Sequence, residues 1–600
     1  MPSGLPERIK RITSTSGLDR DWYLVLLAAG IGTITAGVAW SFIELIHLAA
    51  HWLQREPMWL VLCVPTAGAV VAGTIIFFVA SEARGHGVPE VLHAITRKKS
   101  RIKMRVAIGK WTSAVFTIGS GGSAGAEGPI VQIGSALGSA FGRLIGANTQ
   151  NTTTLLGCGA AAGIASVFNA PIAGIFFVLE ILLRDFSVRT FTPIVIASVF
   201  SAASTQIIHS WANPELQYAA NEAIFNLPAS FHDAPAFTPA EIPNYVVLGI
   251  ICGLVALVFV KALYFTEDVY DRIRAHPILK PISGAALLGL VGLVYVRFTG
   301  QEHGLLPFYS NGYPFIQSLF EPDRYQTGEL LAVGLVAICL FKCLATCLTL
   351  GSGGSGGIFA PSLMLGACAG GAFGIILNTL EWAPNASPAS YALVGMAAVV
   401  AATTHAPLTA ILIVYEMTRD YRIVLPLMLA AVISTVVARL IMRDSIYTLK
   451  LTRRGVRIGQ MSDLTILRRL VVDDVPLVAP VFVHPEESAQ RLLELSERTS
   501  ATDFVVTDRA DHYLGLVTDA DLKEALVYRE AIPLLQVNEL QRSDLPTVTL
   551  EETLDIVLDK FARHDVHSLA VLDERGDGAV LGLITRSRLM HRYQIELSAR

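Results

Sequence analysis

Glycine dominates two short stretches of the chain, and their pattern points to anion chemistry. Residues 119–129 read G-S-G-G-S-A-G-A-E-G-P and residues 351–361 read G-S-G-G-S-G-G-I-F-A-P. Seven of the eleven positions are identical at a constant offset of 232. Each stretch stands before an apolar, helix-like run. Glycine lets backbones approach closely and take positive φ. A helix start leaves N–H groups without intrahelical partners and adds the positive end of the helix dipole. Together these make an anion site from backbone alone. Partial charges hold an anion and still release it, as conduction requires. One such stretch alone would read as close helix packing. Two matched copies, each ending in Pro, favour the site. No Gly-Lys-Ser/Thr follows, which disfavours a phosphate-binding loop. Glu127 is the odd residue. Its carboxylate competes with an anion for the same N–H groups, and protonation would neutralise it and let it leave. The plainer reading is a carboxylate that complements a helix dipole.

A second matched pair supports a duplication. Asn169-Ala170-Pro171 leads to Glu180, and His405-Ala406-Pro407 leads to Glu416, with nine residues from Pro to Glu in both. Duplicated membrane bodies are common in transporters, with the site at the repeat interface. Glu180 and Glu416, at matched positions, read as structural carboxylates at helix ends.

The elements that must position these residues are mostly apolar. Of 600 residues, 52% are hydrophobic and 16% charged; a soluble domain carries about 25% charge. That excludes disorder and argues against a wholly soluble protein. A net charge of −4 gives no sign of nucleic-acid binding. Residues 451–600 hold 18 basic and 25 acidic side chains, leaving 28 basic and 25 acidic in residues 1–450. A sparsely charged membrane body is thus followed by an acidic, soluble tail. Leu24–Ala49, Met58–Ala80, Tyr245–Phe265, Ile282–Val296, Leu330–Leu350, Tyr391–Ala402 and Ile423–Met442 are clear apolar runs, and a full crossing takes about 20 apolar residues. Ile130–Ile145, Leu155–Val167 and Ile358–Leu377 are shorter or interrupted, and many of the helices in both groups are expected to be too short, tilted or stopped partway. The loop 97–105 carries six basic residues and reads as cytoplasmic. Residues 1–20 lack the apolar core of a signal peptide and read as a cytoplasmic segment. The expected domains are a membrane domain over 21–450, with repeats at about 21–212 and 243–450, and tail modules at 451–535 and 536–600. The seven cysteines lie in apolar stretches. Cys339, Cys343 and Cys347 share a helix face without His or carboxylate, so packing is expected and no metal site.

At this point the body resembles the CLC family of chloride channels and chloride/proton exchangers. Gly125-Ala126-Glu127-Gly128-Pro129 resembles the segment that carries that family's gating glutamate. Gly357-Ile358-Phe359-Ala360-Pro361 resembles its G-x-F-x-P segment, and Gly85-His86-Gly87-Val88-Pro89 its G-S-G-I-P segment. Tyr447 resembles the tyrosine whose hydroxyl touches the central anion. The resemblance implies a polytopic α-helical membrane protein with inverted repeats, in the plasma or inner membrane with both termini cytoplasmic. It implies a homodimer in a lipid bilayer that moves chloride or a similar anion, with protons as a possible second cargo. It implies Glu127 as the gate and, as anion-binding groups, the backbone of Gly128, Ile358 and Phe359 with Tyr447 and the residue at position 86. Two departures stand out. His86 replaces the family's Ser, exchanging a small hydroxyl for a larger, titratable ring. Ile181 stands where exchangers of the family commonly carry an inner, proton-loading glutamate. The expectation leans to a gated channel, with an antiporter as the alternative. A divalent-cation transporter is more distant, because such a pore calls for several carboxylates. A membrane metalloprotease would need H-E-x-x-H, which is absent. No enzymatic activity is expected.

The tail repeats too. Gly515-Leu516-Val517-Thr518-Asp519-Ala520-Asp521-Leu522 matches Gly582-Leu583-Ile584-Thr585-Arg586-Ser587-Arg588-Leu589. Each copy follows a helix-like run and a short apolar strand, giving an α/β tail. It resembles a tandem pair of CBS domains. That resemblance implies an adenine nucleotide at Thr518 and Asp521, the second copy having Arg588 in place of the aspartate; a ligand-free dimerising module stands beside it. No cofactor is otherwise required.

Overall fold

The computed structural model describes residues 22–212, 223–228, 239–321, 324–325, 331–382, 387–456, 467, 470–499, 501–510, 512–527, 532–573 and 579–598. The expected N-terminal segment 1–20, and most of the stretch joining the repeats, lie outside these residues. The chain divides into Met1–Ile458 and Gly459–Arg600.

The first unit is helical. Among the described residues, eight helices are long and apolar enough to cross a membrane, including Tyr23–Arg55, Met58–Phe78, Val188–Ala212, Leu279–Thr299 and Phe359–Thr379. In hydrocarbon a helix satisfies its own backbone, so long apolar runs fold this way. Their outward side chains, among them Trp59, Phe78, Val333 and Leu440, are exposed and apolar. Two further helices differ from expectation in extent. Glu127–Leu144 and Thr149–Phe168 are complete helices of 18 and 20 residues. The second starts with polar Asn151, Thr152 and Thr154, which are buried against protein and not lipid. An apolarity scan therefore starts it too late.

Close packing binds each such pair. A Cβ on Gly134 would strike the carbonyl of Gly159, and one on Gly366 the carbonyl of Gly395. These are the same contact in the two repeats, joining Glu127–Leu144 to Thr149–Phe168 and Phe359–Thr379 to Pro388–Thr404. Small residues let helix backbones meet.

The second unit contains two copies of one α/β module. In the first, Phe482–Val483 pairs parallel to Phe504–Thr507, which pairs antiparallel to Tyr513–Val517. In the second, Val548–Thr549, Ser568–Leu572 and Val580–Thr585 repeat that order and those directions. Helices Ala489–Thr499 and Leu554–His564 precede the central strands as expected. The two-residue parallel strands were not foreseen; so short a segment has no readable alternation.

Candidate anion site

Three backbone segments are sewn together between the repeats. Gly125 and Gly357 exchange two hydrogen bonds, the Gly125 N–H donating to the Gly357 carbonyl at 2.8 Å and the Gly357 N–H to the Gly125 carbonyl at 2.6 Å. The Gly85 N–H donates to the Gly354 carbonyl at 3.0 Å, and the Gly356 N–H donates to the Gly85 carbonyl at 3.3 Å. The helices starting at Glu127 and Phe359 are thereby set side by side, next to the turn carrying His86. Glycine is required in that turn. Gly87 has φ +81°, and a Cβ there would lie 2.6 Å from the Gly128 carbonyl. A Cβ on Gly128 would in turn strike the His86 carbonyl. Among the described residues, no acceptor takes the backbone N–H of Gly128, Ile358 or Phe359. These donors stand at the starts of the two helices that follow the glycine-rich stretches.

Glu127 opens its helix and is buried. The Tyr313 hydroxyl donates to its Oε1 at 2.9 Å. Its Oε2 makes no hydrogen bond within the described residues. That oxygen lies 2.8 Å from where a Cβ on Gly357 would stand and nearer still to one on Gly125, so the carboxylate folds back over the paired glycines of both stretches. The Ala360 amide and, through charge, Lys342 act on it. The carboxylate thus faces the start of the Phe359–Thr379 helix, where an anion would be drawn.

His86 is buried, and neither ring nitrogen has a partner within the described residues. Its ring centroid is 6.0 Å from that of Tyr447 and 6.5 Å from that of Tyr264. Tyr447 is buried and also meets Phe177 at 6.4 Å. The Ile446 N–H donates to the Thr403 carbonyl at 2.9 Å, which fixes the segment carrying Tyr447. Ile181 is buried in the π-helical turn Val178–Leu183, so no carboxylate stands there.

Two cavities meet this cluster. One, of about 550 Å³, is lined by Ala126 and Tyr313 together with His47, His51, Asn311 and Gln317. The other, of about 450 Å³, is lined by Tyr264 and by Arg84, Glu90, Glu267, Lys450 and Arg454. From the first cavity the order is Tyr313, Glu127, the Gly128–His86 contact, then His86 with Tyr447, and Tyr264 at the second.

Tyr313 was missed from sequence, although a signal existed. Ser310-Asn311-Gly312-Tyr313-Pro314 has the second Gly and the Pro of Gly85-His86-Gly87-Val88-Pro89 in the same places. Gly312 and Gly87 both have φ +81°. Glu180 and Glu416 are also placed by the repeat. Glu180 accepts from the N–H groups of Leu408 and Thr409 at 3.2 and 2.8 Å. Glu416 accepts from those of Ile172 and Ala173 at 3.0 and 2.6 Å. Each carboxylate caps the helix that leads to the other. Among the described residues no three His, Cys, Asp or Glu side chains are grouped to hold a metal ion.

In the tail, the Asp521 carboxylate accepts from the Thr518 N–H at 2.9 Å and from its hydroxyl at 2.6 Å. At the matching place in the second copy, the Arg588 guanidinium donates to the carbonyls of Pro476 and Leu477 at 2.9 and 2.6 Å. Its own side chain fills that position.

Comparison with known proteins agrees with this architecture. The profile of the family described as voltage gated chloride channel matches residues 67–439. The chain belongs to the CLC family. Two CBS domains match at residues 472–528 and 537–594. A ClcB-like protein of Ralstonia nicotianae is 31% identical over 445 residues, covering 72% of this chain and 97% of that one. The H(+)/Cl(-) exchange transporter ClcA of Vibrio cholerae is 31% identical over 453 residues, covering 72% and 90%. The structure of a slow cyanobacterial Cl-/H+ antiporter matches with a TM-score of 0.62 at 25% identity, covering 72% of this chain and 97% of that one. This CLC protein is a multi-pass membrane protein for anion transport, with CBS domains at its C-terminal end.

Proposed function

We propose that the protein conducts chloride, or an anion like it, through the series of groups from Tyr313 to Tyr264, with Glu127 as the gate. The observation that carries this reading is the buried Glu127 carboxylate lying against Gly125 and Gly357, with its Oε2 unbonded, where the two glycine stretches meet. A bound anion is held by the N–H groups of Gly128, Ile358 and Phe359, by a ring N–H of His86 and by the Tyr447 hydroxyl. Partial charges release it again. The ionised carboxylate competes for this place, and its protonation frees it. Ile181 supports a channel, or a conductor with weak proton coupling, because no inner carboxylate loads protons there. The second reading is a chloride/proton antiporter, favoured by the name of the Vibrio cholerae relative.

The same reading places the protein as a homodimer in the lipid bilayer of a plasma or inner membrane, with both termini cytoplasmic. It requires no cofactor and no catalysis, and assigns an adenine nucleotide to Thr518 and Asp521. The test uses purified protein in liposomes under a chloride gradient at clamped voltage, with internal pH followed. Uphill proton movement rejects the channel; chloride current without it rejects the antiporter. Glu127→Gln should abolish the dependence of flux on pH, and a dependence that survives rejects the gate.

A further inference from the structure

The Tyr313 phenol is held from several directions. It belongs to the six-residue helix Tyr313–Ser318, and its own N–H donates to Asn311 Oδ1 at 3.2 Å. The loop before it is pinned by Lys342, whose Nζ donates to the carbonyls of Phe308 and Ser310 at 3.2 and 2.8 Å. The Ser310 N–H donates to the Gly121 carbonyl of the first glycine stretch at 3.2 Å. On the ring side, Phe225 packs edge-on at 5.6 Å. A phenol fixed in this way delivers its hydroxyl to one place, Glu127 Oε1.

We propose that Tyr313 is the positioning residue that latches the gate, its hydroxyl holding the ionised Glu127 carboxylate over the anion site. The inference rests on the gating role of Glu127 and deepens it. A hydrogen bond to a charged acceptor is about twice as strong as one between neutral groups. Tyr313 therefore favours the blocking, ionised state over the protonated one. It also lines the cavity of about 550 Å³, so the latch sits where that cavity meets the gate. Other ionisable groups face the pair. Lys342 of the Ala332–Thr346 helix and Tyr447 act on Glu127 through charge, and His47 and His51 of the Trp22–Arg55 helix line the cavity. Any pH effect must be separated from theirs.

The test is chloride efflux from liposomes holding the full-length protein, followed across the acid-to-neutral range. The unaltered chain is compared with Tyr313→Phe, with Glu127→Gln and with the double variant. Losing the donor disfavours the blocking state, so Tyr313→Phe should keep its flux to a higher pH, by about 1–2 units at half-maximum. In the Glu127→Gln background the same change should do nothing. A half-maximal pH unchanged by Tyr313→Phe overturns the latch, as does an equal effect in both backgrounds. Fluorotyrosine placed at position 313 keeps the ring's size and donates more strongly; it should move the half-maximum to lower pH, and no movement rejects the proposal even where the phenylalanine variant does not fold. If Glu127→Gln leaves the pH dependence intact, the gate itself is rejected. If it flattens the profile while Tyr313→Phe shifts nothing, only the latch is.

Discussion

Lys110 and Lys342 stand at equivalent places in the two repeats, and both ammonium groups are fully buried on backbone carbonyls. Each lies nine residues before its glycine-rich stretch. Lys110 donates to the carbonyls of Ala83 and Gly85, and Lys342 to those of Phe308 and Ser310. Each thereby sets the turn before a helix start, one carrying His86 and the other Tyr313. Lys110→Met and Lys342→Met should each strand two buried acceptors, at about 1–3 kcal/mol per group. Thermal unfolding in detergent should show a clear drop in Tm for both; an unchanged Tm would show that water replaces the ammonium.

The exchanged caps of Glu180 and Glu416 make a second stability prediction. Glu180→Ala removes the acceptor for Leu408, Thr409 and the Thr409 hydroxyl. Loss of a helix N-cap costs about 0.5–2 kcal/mol. The expected outcome is a lower Tm with an unaltered chloride-to-nitrate flux ratio. A changed ratio at full stability would make Glu180 part of the anion path instead.

His86 bears on selectivity. Its ring nitrogens have no partner within the described residues, so an anion beside the ring would be a ready acceptor. His86→Ser replaces a ring N–H by a shorter hydroxyl and opens space between Tyr447 and Tyr264. The chloride-to-nitrate ratio should change several-fold in competitive flux measurements, an order-of-magnitude figure for one hydrogen bond. An unaltered ratio would remove His86 from the anion's contacts.

The tail predicts asymmetric ligand binding. Asp521 presents a carboxylate beside Thr518, whereas Arg588 spends its guanidinium on Pro476 and Leu477. Calorimetry of the full chain with ATP should show one class of site, lost in Asp521→Ala. No heat of binding would leave the module without this ligand.

Much of the site was legible because it repeats. The two glycine stretches, Glu127 and the Glu180–Glu416 pair all show in the sequence, since the same backbone demand was written twice. What stayed hidden is which residues meet across the repeats. Tyr313 lies 186 positions from Glu127, and no local pattern states that the two touch. Helix extents were misjudged where polar residues are buried in protein, as at Asn151 and Thr152. The strands Phe482–Val483 and Val548–Thr549 exist only because a partner strand pairs with them.

The bridges Gly125–Gly357 and Gly85–Ser355 have a mechanical consequence. Transporters that work by rocking need a seam along which one half slides past the other. Here the two halves are joined by main-chain hydrogen bonds at the proposed anion site, and opening that seam would strand several buried amides at once. On the proposed reading, turnover comes from the swing of a few side chains within a bonded main-chain frame, and that frame keeps the ion's route in place while the gate moves.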